Sequence, residues 1–155
     1  MVRVLVTGMS AVGKTALLTE LARRGHRTVD TDHSGLTIRV GDEWLWDEAR
    51  VAALLDDGDA DLLIVQGTVR NQVRFYPQFD HILLLSAPPD VMMERLATRT
   101  GNPYGKNESE RAEVMDNLTE VEPLLRDACC LEVVTTIPLD EVADRLLDHI
   151  GRGLH

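Results

Sequence analysis

Short apolar runs recur along the chain, and between them apolar residues return at helical spacing. Val2-Arg3-Val4-Leu5-Val6, Leu62-Leu63-Ile64-Val65, His81-Ile82-Leu83-Leu84-Leu85 and Leu131 to Thr135 read as buried strands, and Arg27-Thr28-Val29 as a shorter one ending at Asp30. Leu17, Leu18 and Leu21 form one stripe of a helix over Lys14 to Arg24, stopped by Gly25. Residues 37–46 alternate around Gly41-Asp42, which predicts a hairpin pairing Ile38-Val40 with Glu43-Leu45. Asp47 is placed to cap a helix running to about Leu55. Further helices are predicted from Asp90 to Thr98, as one long charged helix over 108–127, and from Leu139 to Ile150. Thr100 to Asn107 reads as a polar loop. Strands alternating with helices imply βαβ units, hence an α/β fold with helices on both faces of a mostly parallel sheet.

Length and charge narrow the picture. The 155 residues suffice for one domain, 1–155, with no internal repeat, low-complexity tract or linker to divide them. A net charge of −10 removes the basic footprint a nucleic-acid partner normally needs. No apolar run has membrane-spanning length, and Met1 to Val6 lacks the layout of an export signal. Cys129 and Cys130 are adjacent, too few for a disulfide scaffold or a four-ligand metal site, and the segment reads as core. These features predict a reduced, cytoplasmic protein, a monomer or weak dimer, with no nucleic-acid or membrane partner. Of sixteen basic residues only Lys14 and Lys106 are lysines. A compact ammonium is not interchangeable with guanidinium where a phosphate oxygen must be reached.

The chemistry begins at Gly8-Met9-Ser10-Ala11-Val12-Gly13-Lys14-Thr15, which matches G-x-x-x-x-G-K-[ST], the P-loop. It lies directly after a predicted strand and before a predicted helix, as the mechanism requires. Glycines let successive N–H groups turn inward around a phosphate, and the helix N-terminus adds its dipole. Gly8, Ser10, Ala11, Val12, Gly13, Lys14, Thr15 and Ala16 are therefore the expected nucleotide contacts. Lys14 would bridge the β- and γ-phosphates, and the Thr15 hydroxyl would be a hard ligand for Mg²⁺. Asp30 and Asp32, at i and i+2 at the end of the second strand, should point the same way toward the phosphate site. The third strand ends in Gln66 rather than an acidic residue, so Asp30 is the best acidic holder for the metal's water shell. Beside them, His33 reads as a polar loop residue, and Asp56-Asp57-Gly58-Asp59 as a solvated turn.

The P-loop, the Asp30-Thr31-Asp32 element and the segment from Leu85 to Leu96 together resemble the small P-loop kinases, especially the shikimate kinase and gluconate kinase group, over nearly the whole chain. The resemblance implies a three-layer fold on a five-stranded parallel sheet of order 2-3-1-4-5. It also implies an acceptor region at about 30–60 and a short lid at about 99–110. It assigns Asp30 to the metal, Asp32 to the acceptor hydroxyl, Arg95 and Arg99 to the nucleotide at the lid base, and Lys106 to the transferring phosphoryl. Solvated loop charge is the other reading of Lys106.

Two departures bear on the acceptor. Gln66-Gly67-Thr68 stands where shikimate kinases carry a triple glycine, and Trp46 stands near their carboxylate-clamping arginine. An indole offers a stacking face and one donor instead of a bidentate fork, so shikimate is not the expected acceptor. Trp44 and Trp46 share a strand face and either line the acceptor pocket or pack the hairpin on the core. Gly67, Arg70 and Arg74 complete the expected acceptor set, with Arg70 and Arg74 on one face if 70–75 is helical.

The combined expectation is an ATP- and Mg²⁺-dependent phosphotransferase acting on a hydroxyl of a small metabolite. The alternatives are a nucleoside monophosphate kinase, or a regulatory ATPase or GTPase without a small-molecule acceptor. The last is disfavoured because Tyr104-Gly105-Lys106-Asn107 does not form a guanine-reading N-K-x-D motif.

Overall fold

Buried apolar strands want neighbours on both sides, and the sheet supplies them. The computed structural model describes residues 2–9, 11–32, 34–58, 61–98 and 108–153. The strands β1 (Val2–Thr7), β2 (Arg27–Asp30), β5 (Leu62–Gln66), β6 (His81–Ser86) and β7 (Leu131–Val134) form one sheet of order β2-β5-β1-β6-β7. Every pairing in it is parallel, with Val4 opposite Ile64 and His81, and Leu83 opposite Leu131. This is the expected order 2-3-1-4-5. Strands β3 (Thr37–Val40) and β4 (Glu43–Trp46) form a separate antiparallel hairpin, with Arg39 opposite Trp44. Gly41 takes the left-handed φ of 63° that its turn demands.

Alternation along the central strand divides the core. Val4 and Val6 face one cluster with Leu17 and Leu21 of α1 (Lys14–Arg23) and Val142 and Leu146 of α6 (Leu139–Gly153). Met92 and Leu96 of α3 (Pro89–Thr98) join the same cluster. Leu5 faces the other way, into a cluster with Val51 and Leu55 of α2 (Glu48–Asp56) and with Trp46, Phe75 and Phe79. Asp47 caps α2 as its sequence position foretells, its side chain accepting from the Arg50 N–H.

Three local expectations are corrected. The long helix over 108–127 is two helices, α4 (Glu108–Glu120) and α5 (Glu122–Ala128), separated at Val121. Pro123, with no N–H to give and a ring that crowds the preceding turn, belongs at a helix start. Residues Arg70–Gln78 form a 3₁₀ segment. At three residues per turn, positions four apart diverge by about 120°, so Arg70 and Arg74 do not share a face. Arg70 pairs with Glu43 at 2.6 Å and Arg74 with Glu48 at 3.2 Å. Cys129 is half-buried and Cys130 exposed, so the pair sits at the core's margin. Among the described residues no helix is long and apolar enough to cross a membrane.

Candidate functional site

Between β1 and α1 the backbone is wound in the way an anion cradle needs. Gly8, Ala11 and Gly13 have φ of 152°, 66° and 100°. Ala11 is the positive-φ residue among them that is not glycine, and such backbone turns aim neighbouring N–H groups into one concavity. Gly8 is also required by space, because a Cβ there would lie 2.5 Å from the Leu85 carbonyl oxygen. The N-terminus of α1 has Gly13 as its cap, no capping side chain and no acidic residue in its first turn. Its orphan N–H groups and positive dipole end are thus left for a ligand.

Lys14 folds back over this loop. Its ammonium donates to the Gly8 carbonyl and to the Thr68 hydroxyl, the latter at 3.0 Å. Thr68, just past β5, ties the loop to its surroundings, accepting from the Gly8 N–H at 3.3 Å and donating to the Gly8 carbonyl. Its hydroxyl also meets that of Thr7 at 3.2 Å, and Thr7 accepts from buried Gln72 at 3.1 Å. Burial pulls the Lys14 ammonium down to a pKa of about 8, against the opposing pull of Asp32 and Asp30.

The two carboxylates converge as the i, i+2 spacing predicts. Gln66, 1% exposed at the end of β5, donates its amide N–H groups to Asp30 and, at 3.4 Å, to Asp32. The Asp30 carboxylate also accepts the Asp32 backbone N–H at 3.0 Å, which fixes the turn between them. The Gln66 Oε1 atom is buried and, among the described residues, has no hydrogen-bond partner. An orphaned oxygen beside two carboxylates is a hard-donor environment, and it fits Mg²⁺ or a water held by it. Between the two acids, Thr31 is fully buried and faces the core. Its hydroxyl donates to the Gln66 carbonyl at 2.9 Å and accepts from the Trp46 indole at 3.0 Å.

Two hollows flank the loop. The larger, about 910 Å³, is lined by Gly8, Met9, Lys14, Asp32, Thr68, Arg70, Gln72 and Tyr76, with Asn117, Val121, Leu124 and Leu125 from the α4–α5 pair opposite. The smaller, about 350 Å³, is lined by Val12, Gly13, Ala16, Arg95, Thr135, Ile137, Leu139 and Val142. Arg95 is fixed there, donating to the Ala11 carbonyl at 3.1 Å and to the Thr135 hydroxyl and carbonyl at 2.9 and 2.7 Å. It braces the loop against the segment between β7 and α6.

The sequence-derived set therefore divides. Lys14, Asp32, Gly8 and Arg70 border the large hollow, and Val12, Gly13, Ala16 and Arg95 the small one. Thr15 is exposed in the first turn of α1. Ser10, His33, Arg99 and Lys106 lie outside the described residues. The tryptophans and Arg74 border neither hollow, and of the two readings open for the tryptophans Trp46 takes the core one. Trp46 is 1% exposed and stacks edge-on against Phe75 with centroids 5.6 Å apart, whereas Trp44 is 59% exposed. The hairpin is separate from the main sheet, and its base enters the core while its tip does not. Gly67 serves packing, since a Cβ there would meet Thr31 Oγ1 at 2.8 Å and the Trp46 ring at 2.9 Å. Thr68, Gln72, Tyr76 and the α4–α5 residues were missed. Only Thr68 carried a signal, its place at the carboxyl end of a strand.

No curated protein matches the chain at significant similarity. Solved structures with the same fold include shikimate kinase from Acinetobacter baumannii in complex with shikimate. It is 21% identical with a TM-score of 0.71, over 97% of this chain and 93% of that one. A gluconokinase from Sinorhizobium meliloti 1021 is 17% identical, TM-score 0.64, over 97% and 92%. Shikimate kinase from Aquifex aeolicus is 17% identical, TM-score 0.66, over 96% of each chain. At these identities the likeness establishes the fold. The AAA domain family matches residues 4–116, more than half the sequence, and the chain belongs to that family as a P-loop protein on a five-stranded parallel sheet.

Proposed function

We propose that the protein is an ATP- and Mg²⁺-dependent phosphotransferase that moves the γ-phosphoryl group to a hydroxyl of a small metabolite. The observation that carries this reading is the shared hollow. One cavity of about 910 Å³ is bordered by the phosphate loop, by Lys14 and by the Asp32 carboxylate. A cation for the phosphoryl oxygens and a base for the incoming hydroxyl thus face one space. In this reading Lys14 and the loop amides stabilise charge on the phosphoryl group, and Asp32 orients the acceptor and takes its proton. The small hollow beside Arg95 and Ala16 suits the nucleotide's base. Thr15, Asp30 and Gln66 would hold Mg²⁺ and its water shell, and the ion would neutralise charge on the phosphates. Arg99 and Lys106 keep the lid roles that the resemblance implies.

The wall of the cavity speaks to the acceptor. Arg70 is its one arginine among the described residues and is already paired with Glu43, while Val69, Val73, Val121, Leu124 and Leu125 supply apolar surface. That lining favours an acceptor with hydroxyls and an apolar face over a nucleoside monophosphate, whose phosphate needs converging cations.

A metabolite-library screen for ATP consumption above water hydrolysis tests the activity. Asp32→Asn should then lower kcat about 100-fold or more while nucleotide Kd changes less than about threefold. An equal loss in both would show that Asp32 acts only through metal binding. A monophosphate converted to its diphosphate would move the assignment to the competing kinase class.

A further inference from the structure

At the end of the sheet away from the phosphate loop, three metal-ligating side chains from three elements meet. His81 opens β6, Cys130 immediately precedes β7, and His149 lies on α6. One ligand atom from each lies within 4.8 Å of the other two. The Cys130 sulfur is 3.4 Å from His149 Nε2, and the two imidazoles meet edge to face with centroids 5.1 Å apart. We propose that His81, Cys130 and His149 bind one divalent transition-metal ion of the zinc type, with a fourth position open to solvent.

The dimensions suit that ion. Zinc–sulfur bonds of about 2.3 Å and zinc–nitrogen bonds of about 2.0 Å, set tetrahedrally, place ligand atoms about 3.3–3.7 Å apart. Small side-chain rotations bring the cluster to that spacing. The Ile82 backbone N–H points at the sulfur from 3.4 Å, a donor that a thiolate would keep, while the thiol proton that coordination displaces rests on the Ile82 carbonyl at 3.3 Å. The Cys130 N–H in turn donates to the Ile82 carbonyl at 2.9 Å, so the β6–β7 backbone holds the residue in place. One thiolate and two imidazoles are too soft a set for Mg²⁺ and select zinc or cobalt. Cys130 is exposed and the histidines half-buried, which leaves the ion a route from solvent. Cys129 is not part of the set, because the cluster of ligand atoms within 4.8 Å comprises His81, Cys130 and His149, and the Cys129 thiol turns instead to the Arg126 carbonyl. Coordination would release the Cys130 thiol proton to solvent and fasten α6 to the sheet, and this holds whether or not the protein is a kinase.

The test titrates the full chain, stripped with chelator and reduced with a phosphine, with Co²⁺ and then Zn²⁺. The expected result is one equivalent of Co²⁺ bound, with a thiolate-to-cobalt charge-transfer band that Zn²⁺ bleaches, and a raised Tm. Cys130→Ser should abolish the band, and His81→Ala and His149→Ala should each weaken binding about tenfold or more. Cys129→Ser should leave the band intact. Absence of the band in the unsubstituted protein overturns the proposal. So does a band that survives Cys130→Ser or disappears with Cys129→Ser. The readout is spectroscopic and is independent of nucleotide binding or turnover.

Discussion

The Lys14 ammonium is held among loop carbonyls and the Thr68 hydroxyl, and burial lowers its pKa from 10.5 to about 8. Between those two values the unfolded chain keeps a proton that the folded chain releases, so the folded state gains stability as pH rises from about 8 to 10.5. Below pH 8 the full cost of burying the charge is present. Lys14→Met removes that cost together with the ammonium proposed to bind phosphate. At pH 7 this variant should be more stable than the parent by about 1–3 kcal/mol, the free-energy scale of a shift of this size. The advantage should fade as the pH approaches 10.5, and urea melts of both proteins at several pH values would show it. A constant difference across that range would mean that the hydrogen bonds of Lys14 matter and its charge does not. Residues of this kind are partly legible in sequence. The loop that holds Lys14 is contiguous, and its spacing alone located it. The Gln66 amide joining Asp30 to Asp32 was not legible, because it spans two strands that become neighbours only in the sheet.

Helix α1 is fastened to α6 by an ion network that the candidate site does not touch. Buried Glu20 accepts from Arg23 and Arg24, and Arg24 reaches across to Asp144 at 2.7 Å and to the Asp140 carbonyl at 3.2 Å. The Arg23 hydrogen bond is foremost in pulling the Glu20 carboxyl down to a pKa of about 2. Its contribution to stability is therefore present above the unfolded value of 4.5 and is lost as pH falls toward 2. Glu20→Gln should lower Tm at pH 7 and narrow its gap to the parent as acid is added, a comparison that calorimetry at pH 7, 4 and 2.5 would make. A gap that widens in acid would contradict this account. At this scale the strands were the easiest elements to read, because a strand buried on both faces must be apolar along its length. The break between α4 and α5 is hidden from the periodicity although Pro123 marks it. Charge periodicity runs through the break, and only the ring's clash with the preceding turn reveals it.

Over the whole molecule, both hollows lie beside the loop between β1 and α1, and Arg95 braces that loop from the far side. A ligand that spans them binds the folded chain and has no counterpart in the unfolded one. MgATP at about 100 times its Kd should stabilise the protein by about 2.7 kcal/mol, which for a chain of this size raises Tm by about 5–10 °C. The same addition should leave Lys14→Met unmoved. Failure of the parent to shift with either adenine or guanine triphosphate would remove the basis for the proposed activity. The topology behind this arrangement follows from local rules, since parallel strands with right-handed crossovers leave few orders open. The cavity wall from α4 and α5 does not follow from them, because it depends on how two helices face a 3₁₀ segment across the hollow.

The φ of 66° at Ala11 and the seat of Gly8 beneath the Leu85 carbonyl are set by the packing of the fold. A polyanion seated there, as the proposed function requires, would find those two positions already constrained by tertiary contacts. On that reading the polyphosphate tail and the base would be held by separate parts of the surface. Inorganic tripolyphosphate, with neither sugar nor purine, would then compete for the same seat, and the concentration of bare polyanions around the protein would become a variable in its occupancy.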